Sequence, residues 1–234
     1  MTLANLRVFA THPHQCSYLE GQQATTIFID PKATMNAGIY SELSRLGFRR
    51  SGPHYYKPHC SDCNACIPSR IPVDRFKPGR SFKRILNRNR DLVTEEITDV
   101  NSEECWVLYR DYINARHADG DMHPPSRDQY ESFLSRELGV TKFIGFRLAG
   151  QLVALAVVDS IECGLAAIYT FFDPNMEQRS LGSYAILWQI EEAKRLGLPS
   201  VYLGYWIQDC SKMSYKSRFR PIELLINGSW MPVI

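Results

Sequence analysis

The spacing of apolar side chains predicts a chain that combines amphipathic helices with buried strands. Within residues 102–117, Trp106, Tyr109 and Ile113 lie on one face of a predicted helix. A second helix is predicted over residues 126–138, because a capping-box pair opens it ahead of its apolar positions. Continuous apolar runs separated by hairpin-length gaps follow, and such runs are typical of buried strands. These runs are residues 142–148, 152–161 and 164–172.

The last part of the chain predicts one more helix and then more strands. Helical spacing covers residues 180–197, a strand is predicted over 200–207, and an Asn227-Gly228 turn predicts a closing hairpin. Two helices, an antiparallel meander, a crossover helix, a strand and a hairpin make an α+β fold. This element order resembles that of GNAT-type acyltransferases.

The loop before the helix at 180–197 bears on the acyl donor that such a fold would use. In GNAT enzymes a Gln/Arg-x-x-Gly-x-Gly/Ala loop presents backbone N–H groups to the pyrophosphate of coenzyme A. Here the loop keeps Gly182 but has Tyr184 in the position of the second small residue. We expect the Tyr184 side chain to crowd a pantetheine arm, which argues against an ordinary acyl-CoA donor.

The first third of the chain is rich in turn formers, His and Cys, and its periodic segments are short. A strand is predicted over residues 24–30 and a helix over 33–47. Residues 75–90 then carry seven basic side chains and no acidic one. We predict a domain junction there, with a small cysteine-rich N-terminal domain at 1–80 and a GNAT-like transferase domain at 81–234.

Composition narrows the class of protein. The chain has 234 residues, is 44% hydrophobic and carries a formal net charge of +2, so an anionic partner must be recognised by local patches. It contains no apolar run of about 18 residues or more, and its first residues lack the apolar segment of a secretory signal. We therefore expect no membrane span and a location in the reducing cytoplasm, where disulfides are rare.

Cys60, Cys63 and Cys66 follow one another at equal spacing in the sequence KPHCSDCNACIPSR. This spacing admits a disulfide scaffold, a metal site or a reactive thiol site. A reducing compartment disfavours the first, and free thiols packed against a substrate pocket are the alternative to a metal. With a fourth ligand, the three thiolates would suit tetrahedral zinc or a cubane iron–sulfur cluster, and His54 or His59 as a substitute ligand would favour zinc.

Longer motifs are similar to those of one family. Residues 204–221, GYWIQDCSKMSYKSRFRP, resemble the Tyr-x-Ile…Lys-Met-x-Tyr-Lys-x-x-Phe/Tyr-x-Pro segment of aminoacyl-tRNA–protein transferases. Other blocks that resemble this family lie at 15–21, 55–81, 117–122, 170–174 and 180–191. The compact length and the three-cysteine pattern are most similar to the bacterial branch, the aspartate/glutamate leucyltransferases.

The resemblance implies a reaction and its partners. An amino acid, leucine or else arginine, would pass from its charged tRNA to the α-amine of a protein that begins with Asp or Glu, and this would mark the product for degradation. The ester donor is already activated, so we expect the chemistry to require no cofactor. The resemblance also implies a [4Fe–4S] cluster at N-terminal cysteines. The predicted ligands of a cluster or of zinc are Cys16, Cys60, Cys63 and Cys66.

Two basic segments are the candidate contact surfaces for these substrates. On an α-helix Lys212 and Lys216, which are four residues apart, would share one face. Such a face suits tRNA phosphates, the terminal adenine or the acidic acceptor residue. The predicted substrate-binding residues are Tyr205, Lys212, Tyr215, Lys216 and Arg218. The predicted tRNA-binding residues are Lys83, Arg84 and Arg88.

Asp173 is the predicted catalytic residue. It follows the strand before the crossover helix, where this fold opens between its central strands, so its carboxylate is suited to accept a proton from the acceptor amine or to anchor that amine. A plain Asp173-Pro174 turn is the alternative. Two other functions remain open from the sequence, namely an acyl-CoA-dependent N-acetyltransferase and a non-catalytic metal-ribbon RNA-binding module.

Overall fold

One mixed eight-stranded sheet organises most of the chain. The computed structural model describes residues 6–120, 122–134 and 138–233. The strands are β1 (Val8–Ala10), β2 (His14–Gln15), β3 (Gln23–Ala24), β4 (Thr26–Ile29), β5 (Arg49–Ser51), β6 (His54–Pro58), β7 (Ile67–Pro72), β8 (Val93–Glu96), β9 (Thr141–Leu148), β10 (Gln151–Ile161), β11 (Gly164–Phe172), β12 (Ser200–Trp206), β13 (Ile222–Ile226) and β14 (Ser229–Val233). The α-helices are α1 (Ala37–Arg45), α2 (Arg80–Arg88), α3 (Glu103–Arg116), α4 (Arg127–Phe133) and α5 (Leu181–Arg195). Two 3₁₀ helices span Pro174–Arg179 and Ser211–Arg218.

The strand order of the large sheet is β14-β13-β7-β12-β11-β10-β9-β8. Its neighbouring strands pair antiparallel, with β11 and β12 as the parallel pair. A parallel pair needs a crossover connection, and α5 supplies it. This arrangement confirms the mixed α+β class predicted from the sequence.

The N-terminal segment contributes to two sheets. Strands β1, β4, β6 and β5 form a separate antiparallel sheet in that order. Strand β7 lies inside the large sheet, between β13 and β12. Residues on both sides of the predicted junction near residue 80 therefore meet in one sheet, and the division into two domains stays a prediction.

The two faces of the large sheet pack against different helices, as the residues of β10 show. Successive residues of a strand point to opposite faces. Ala154 and Val158 join one core with residues of α2 and α5, and Leu155 and Val157 join a second core with residues of α3. A third core lies under α1 and the small sheet, where Tyr40 and Tyr55 are 1% and 4% exposed. The site described below lies where the third core meets the large sheet.

Side chains that cap helices fix where α4 and α1 begin. The side chain of Ser126 accepts a hydrogen bond from the backbone N–H of Gln129 at 3.2 Å, which confirms the predicted start of α4. The predicted end of this helix includes residues 135–137, which lie outside the described part of the chain. Helix α1 begins later than predicted, because the Asn36 side chain caps it by accepting from the N–H of Ile39 at 2.8 Å. None of the described helices is both long and apolar enough to cross a membrane.

Candidate active site at the diverging strands β11 and β12

Strands β11 and β12 separate soon after they begin. Their register pairs Leu165 with Val201 and Ala166 with Tyr202, and both strands then continue past this short ladder. The carboxyl ends of parallel strands on either side of such an opening form a crevice in which ligands bind in α/β sheets. The opening is therefore the natural place to look for a substrate site.

Arg49 of β5 lies in this opening. Its Nη2 atom donates to the carbonyl oxygen of Ala167, the first β11 residue beyond the ladder. Gly204 of β12 permits this approach: it has a φ of +77°, and a Cβ atom there would lie 2.9 Å from Arg49 Nε. The half-buried guanidinium thus lies between the two strands, close to the backbone of both.

Lys216 lies on the other side of the opening and is 4% exposed. Its Nζ atom donates to the carbonyl oxygen of Tyr205 and lies 3.2 Å from Met213 Sδ. Burial, followed by the nearby positive charge of Arg49, lowers the pKa of Lys216 to about 7, although Cys210 and Cys66 act in the opposite direction. A buried ammonium group without a carboxylate is costly, so the charged form of Lys216 needs an anion.

Arg49 and Lys216 together are suited to bind a carboxylate. Among the described residues, neither side chain forms an ion pair with Asp or Glu. Two cations this close repel each other until an anion neutralises them, and hydrogen bonds between a charged donor and a carboxylate are stronger than neutral ones. The pair therefore favours a small acidic group over a neutral one.

Tyr56 and Tyr205 form one wall of the opening. Tyr56 of β6 is the cross-strand partner of Arg49, and its ring centroid lies 6.2 Å from that of Tyr205. The Tyr205 hydroxyl donates to the carbonyl oxygens of Gly47 and Tyr56 at 2.9 and 3.2 Å, so this side chain is 5% exposed and tied to the N-terminal segment. Substrate binding by Tyr205 stays a prediction.

The opposite wall is formed by aromatic side chains of α3 and β11. Tyr112 packs against Tyr169 and Phe172, with ring centroids 6.2 and 4.8 Å apart. The ring of His117 lies 5.3 Å from that of Tyr112 and 3.4 Å separates His117 Nε2 from the Tyr112 hydroxyl. Burial is the first cause of a lowered pKa at His117, and nearby Lys212 adds to it.

The expectation that Lys212 and Lys216 share one face is wrong. Residues 211–218 form a 3₁₀ helix with about three residues per turn, so side chains four apart point in different directions. Lys212 points outward and pairs with exposed Asp119 at 2.8 and 3.0 Å. Lys216 is thus the member of this pair that lies in the opening. Tyr215 is 39% exposed, and the roles of Lys212 and Tyr215 stay predictions.

The two basic segments predicted from the sequence are neighbours in space. Phe219 stacks on Phe82 of α2 with ring centroids 4.5 Å apart, and the Arg218 guanidinium lies 5.7 Å from the Phe82 ring centre. Lys83 and Arg84 are exposed on the outer side of α2. Exposed Arg88 donates to the carbonyl oxygen of Gln178 beside the start of α5. We therefore describe Lys83, Arg84, Arg88 and Arg218 as one basic surface, whose contact with tRNA stays a prediction.

Asp173 caps the first 3₁₀ helix. Its Oδ1 atom accepts from the backbone N–H and the side-chain amide of Asn175, at 2.9 and 3.0 Å. This is the turn geometry that was the alternative to a catalytic role. The proposed proton transfer by Asp173 stays a prediction, and its second carboxylate oxygen is the atom that would take part.

Aromatic rings lie beside the loop before α5, which is where GNAT enzymes bind coenzyme A. A Cβ atom at Gly182 would lie 3.2 Å from the Phe172 ring, and the Tyr184 ring packs edge-on against Phe146 with centroids 5.4 Å apart. Arg179 makes two bonds to the carboxylate of Asp91 at 2.8 and 2.9 Å and so holds the loop against the end of α2. The Phe172 ring thus lies close to Gly182, whereas Tyr184 packs toward Phe146, and the crowding predicted for Tyr184 stays a prediction.

The four predicted metal ligands line one cavity of about 960 Å³ beside this site. The Sγ atoms of Cys16 and Cys60 accept backbone N–H groups of Tyr18 and Thr25 at 3.4 and 3.5 Å. Burial, followed by the proximity of the other three thiols, raises the pKa of Cys66 to about 12. Among the described residues, no three or more His, Cys, Asp or Glu side chains lie close enough together to hold an ion as they are placed, so a metal at these thiols stays a prediction.

Sequence reasoning missed Arg49 and the proximity of Cys210 to the other thiols. Arg49 and Arg50 are adjacent in β5, so their side chains point to opposite faces, but nothing in the local sequence shows which of the two lies in the opening. Cys210 is not among the predicted ligands, yet it is 7% exposed and close enough to Cys66 and Lys216 to affect the pKa of each. Nothing in the local sequence indicates that proximity.

Comparisons with known proteins agree with the motifs. Models described as the N terminus and the C terminus of arginine-tRNA-protein transferase match residues 14–84 and 104–226. The chain is 58% identical to an aspartate/glutamate leucyltransferase of Pseudomonas fluorescens strain Pf0-1, over 98% of this chain and 97% of that protein. It is 56% identical to a protein of the same name from Teredinibacter turnerae, over 99% and 96% of the two chains.

Solved structures support the fold. The crystal structure of FemX superposes with a TM-score of 0.55 at 9% sequence identity, covering 94% of this chain and 85% of that one. A likeness at this identity concerns the fold alone, and it agrees with a GNAT-like arrangement of the central sheet.

Proposed function

We propose that this chain, which belongs to the arginine-tRNA-protein transferase family, transfers leucine from its tRNA to the N-terminal α-amine of proteins that begin with Asp or Glu. The names of its relatives, which match over nearly the whole chain, support leucine as the donor amino acid. The observation that carries the proposal is the pair of Arg49 and Lys216, which meet at the diverging strands without a carboxylate partner among the described residues.

The acidic side chain of the acceptor would lie between Arg49 and Lys216. Each charge-assisted hydrogen bond there contributes about 1.5–3 kcal/mol, and an amide or methyl group in the same place would leave buried cations unneutralised. Binding of the carboxylate also stabilises the protonated form of Lys216, whose pKa lies near 7 in the free protein. Recognition of Asp or Glu over Asn, Gln or Ala follows from this charge balance.

The reaction itself is an aminolysis. The neutral acceptor amine attacks the ester carbonyl carbon, the new C–N bond forms, and the C–O bond to the terminal ribose breaks, with one proton passing from the amine to the leaving ribose oxygen. An α-amine has a pKa of about 7.7–8.0, so alignment and a weak base suffice near neutral pH. Asp173 stays the predicted proton acceptor, with Oδ1 held by Asn175. Six residues of β11, roughly 20 Å at about 3.3 Å per residue, separate it from Ala167, where Arg49 lies. Its carboxylate can therefore take the proton only through intervening water molecules or from an amine bound farther along the strand.

The donor tRNA would lie on the basic surface of Lys83, Arg84, Arg88 and Arg218. These cations are exposed and close to the start of α5, which adjoins the opening. Contacts of this kind go mainly to phosphates and fix the orientation of the nucleic acid. The reaction requires charged tRNA, which places the proposed activity in the cytoplasm, and a leucylated protein would be directed to degradation.

A metal at Cys16, Cys60, Cys63 and Cys66 is a separate part of the proposal. The four thiols share one cavity wall, and two of them accept backbone N–H groups, as sulfur ligands of metal centres do. Ligation would require the thiols to move closer together than they are here. The transfer steps above use none of these residues.

A coenzyme A-dependent acetyltransferase is the less favoured alternative, because Tyr184 stands where the loop of a GNAT enzyme has a second small residue, and the Phe172 ring lies close to Gly182. A non-catalytic RNA-binding module would leave the buried pair of Arg49 and Lys216 without a role.

The proposed function is tested by transfer of labelled leucine from charged tRNA onto peptides that differ only in their first residue. Peptides that begin with Asp or Glu should be labelled, and those with Asn, Gln, Ala or acetylated Asp should not. Parallel reactions with arginyl-tRNA and with acetyl-CoA test the donor. Equal labelling of peptides that begin with Asp and Ala would exclude the proposed acceptor site.

A further inference from the structure

The cavity of about 960 Å³ beside the candidate site is far larger than one amino acid needs. It lies near the upper end of the range of ligand pockets, which is about 300–1,000 Å³, and it opens between the turn after β13 and the segment from β2 to β4. Leu46, Ile226 and Tyr18 at its lining are 49%, 42% and 40% exposed. A single side chain bound at Arg49 and Lys216, even together with a metal at the four thiols that line the cavity, would leave most of this space unfilled.

Two aromatic side chains belong both to the cavity and to the carboxylate site. Tyr56 and Tyr205 line the cavity. Tyr56 is the cross-strand partner of Arg49, so the two side chains share one face of the small sheet. The carbonyl oxygen of Tyr205 accepts the Lys216 ammonium group. Tyr56 and Tyr205 are therefore a wall that the cavity and the carboxylate site share.

The charge of the cavity lining favours an acidic or neutral occupant. Among the described residues that form it there is no Asp or Glu, whereas Lys57 is cationic; the second cation of the lining, Arg45, pairs with Glu42 outside it. Lys57 is half-buried; its Nζ donates to the carbonyl oxygen of Leu46 at 2.9 Å and lies 6.0 Å from the Phe48 ring centre. Burial lowers the pKa of Lys57, and no carboxylate of the described chain pairs with it.

We propose that this cavity binds the residues that follow the acidic N-terminal residue of the acceptor protein, and that it selects acidic or uncharged residues over basic ones there. The inference rests on the proposed function, since the first residue must already be seated at Arg49 and Lys216. From that position the acceptor chain has to leave past Tyr56 and Tyr205, and an extended chain advances about 3.3–3.6 Å per residue. Several residues are therefore in contact with the cavity wall, where Lys57 meets their side chains.

The wild-type protein alone tests this inference. Leucyl-tRNA is supplied with peptides that all begin with Asp and end in one common sequence, but carry three Glu, three Gln or three Lys directly after the first residue. kcat/KM should be highest for Glu and lowest for Lys, with a difference of about two- to fivefold, the size of one surface charge pair. kcat/KM should also rise as an uncharged peptide is lengthened from two residues to about six.

Reversal of one charge in the cavity tests whether Lys57 is the residue that selects between acidic and basic tails. Lys57→Glu should reverse the preference between Glu and Lys tails, and Lys142→Glu should leave it unchanged, because Lys142 makes the same charge change on β9, three strands away from β12. Thermal unfolding of both variants is measured in parallel. If Lys57→Glu does not fold, the inference is tested by the wild-type kcat/KM values for Glu, Gln and Lys tails and for peptides of increasing length.

The outcomes show whether the cavity binds the acceptor chain or the tRNA. They also show whether this inference fails alone or together with the proposed function. Leucyl-tRNA affinity at low salt should be the same for wild type and Lys57→Glu, whereas reduced affinity with an unchanged tail ratio would assign the cavity to the RNA 3′ end and overturn the inference. If leucine is transferred at equal rates to Asp-initiated peptides of every tail and length, the inference is wrong and the proposed function is unaffected. No transfer onto any Asp-initiated peptide removes both.

Discussion

Arg50 of β5 and Asp159 of β10 form a buried two-point ion pair, with Nε–Oδ2 and Nη2–Oδ1 distances of 2.6 and 2.9 Å. The hydroxyls of Tyr40 and Thr141 donate to the same carboxylate at 2.7 Å each. Because Arg50 follows Arg49 directly, this network fixes the strand that holds Arg49 in the opening between β11 and β12. Arg50 and Arg49 point to opposite faces of β5, so the residue that stabilises the strand is adjacent to the residue that lies in the substrate site.

Removal of one partner from this network should be strongly destabilising. Asp159→Ala leaves the buried Arg50 charge without an anion, and such a change costs about 3–5 kcal/mol of the free energy of unfolding. Urea denaturation measures it. The double variant Arg50→Met, Asp159→Leu should lose much less, because both charges are removed together. Equal losses for the single and the double variant would show that packing, not charge, holds β5 in place.

Arg49→Ala should impair the acceptor step and leave stability nearly intact. Loss of one charge-assisted hydrogen bond of about 1.5–3 kcal/mol corresponds to a fall of about 10- to 150-fold in kcat/KM for Asp-initiated peptides. Arg195→Ala removes a cation of the same type from exposed α5, where Arg195 pairs with Glu192, and serves as the matched control. If both variants retain full kcat/KM while tRNA binding is normal, the carboxylate of the acceptor binds elsewhere.

The sequence was sufficient where the structural signal is local. Ser126 and Gln129 are three residues apart, and their hydrogen bond could be predicted from that spacing alone. The position of Arg49 depends on Ala167 and Gly204, which lie more than a hundred residues away along the chain. No periodicity encodes such a pairing. The contrast between Lys212 and Lys216 was missed for a different reason, because a 3₁₀ helix and an α-helix of the same sequence expose different faces.

Lys216 should make stability depend on pH above neutrality. Its pKa is lowered from 10.5 to about 7 in the folded protein, mainly by burial, so between these values the unfolded chain binds a proton that the folded chain does not. Stability therefore rises with pH across this window, is fully present above about 10.5 and is lost as pH falls towards 7. The groups that face the ammonium are Arg49, Cys66, Cys210, Met213 and the Tyr205 carbonyl.

Lys216→Met removes this titration and keeps the volume of the side chain nearly constant. The free energy of unfolding of the variant should exceed that of wild type increasingly as pH is lowered from about 10 to 7, by up to about 1.4 kcal/mol per unit of pKa shift. Lys212→Met, at an exposed ion pair, should follow the wild-type pH profile. Parallel profiles for wild type and Lys216→Met would mean that Lys216 titrates at its ordinary pKa.

The basic surface should contribute to tRNA binding through phosphates. Lys83→Ala and Arg84→Ala should each weaken binding of charged tRNA and reduce the slope of log K against log salt by about 0.7–0.9, the value for one released counterion. Binding is measured by fluorescence anisotropy from low to moderate salt. Lys142→Ala on β9 provides the comparison. Unchanged slopes in the single variants and in their combination would place the tRNA on a different surface.

The N-terminal thiols should respond to substitution as one group if they hold a metal. A four-thiolate centre loses most of its affinity with any one ligand, and its formation is coupled to folding, so Ser at Cys16, Cys60, Cys63 or Cys66 should lower metal content and thermal stability to the same extent. Cys105→Ser and Cys163→Ser should leave metal content unchanged, because these thiols are buried in other parts of the molecule, although a hydroxyl in either core position lowers stability.

Protein purified without oxygen supplies the measurement. Iron with sulfide and broad visible absorption indicate a cluster, whereas a colourless protein with about one zinc indicates a structural zinc site. Cys210→Ser is the informative additional variant, because its thiol lies close enough to raise the pKa of Cys66 but was not predicted as a ligand. If it lowers metal content as the four others do, Cys210 belongs to the ligand set. A fully active anaerobic preparation that contains neither metal would instead leave all five thiols as side chains that pack beside the acceptor cavity and the Lys216 ammonium.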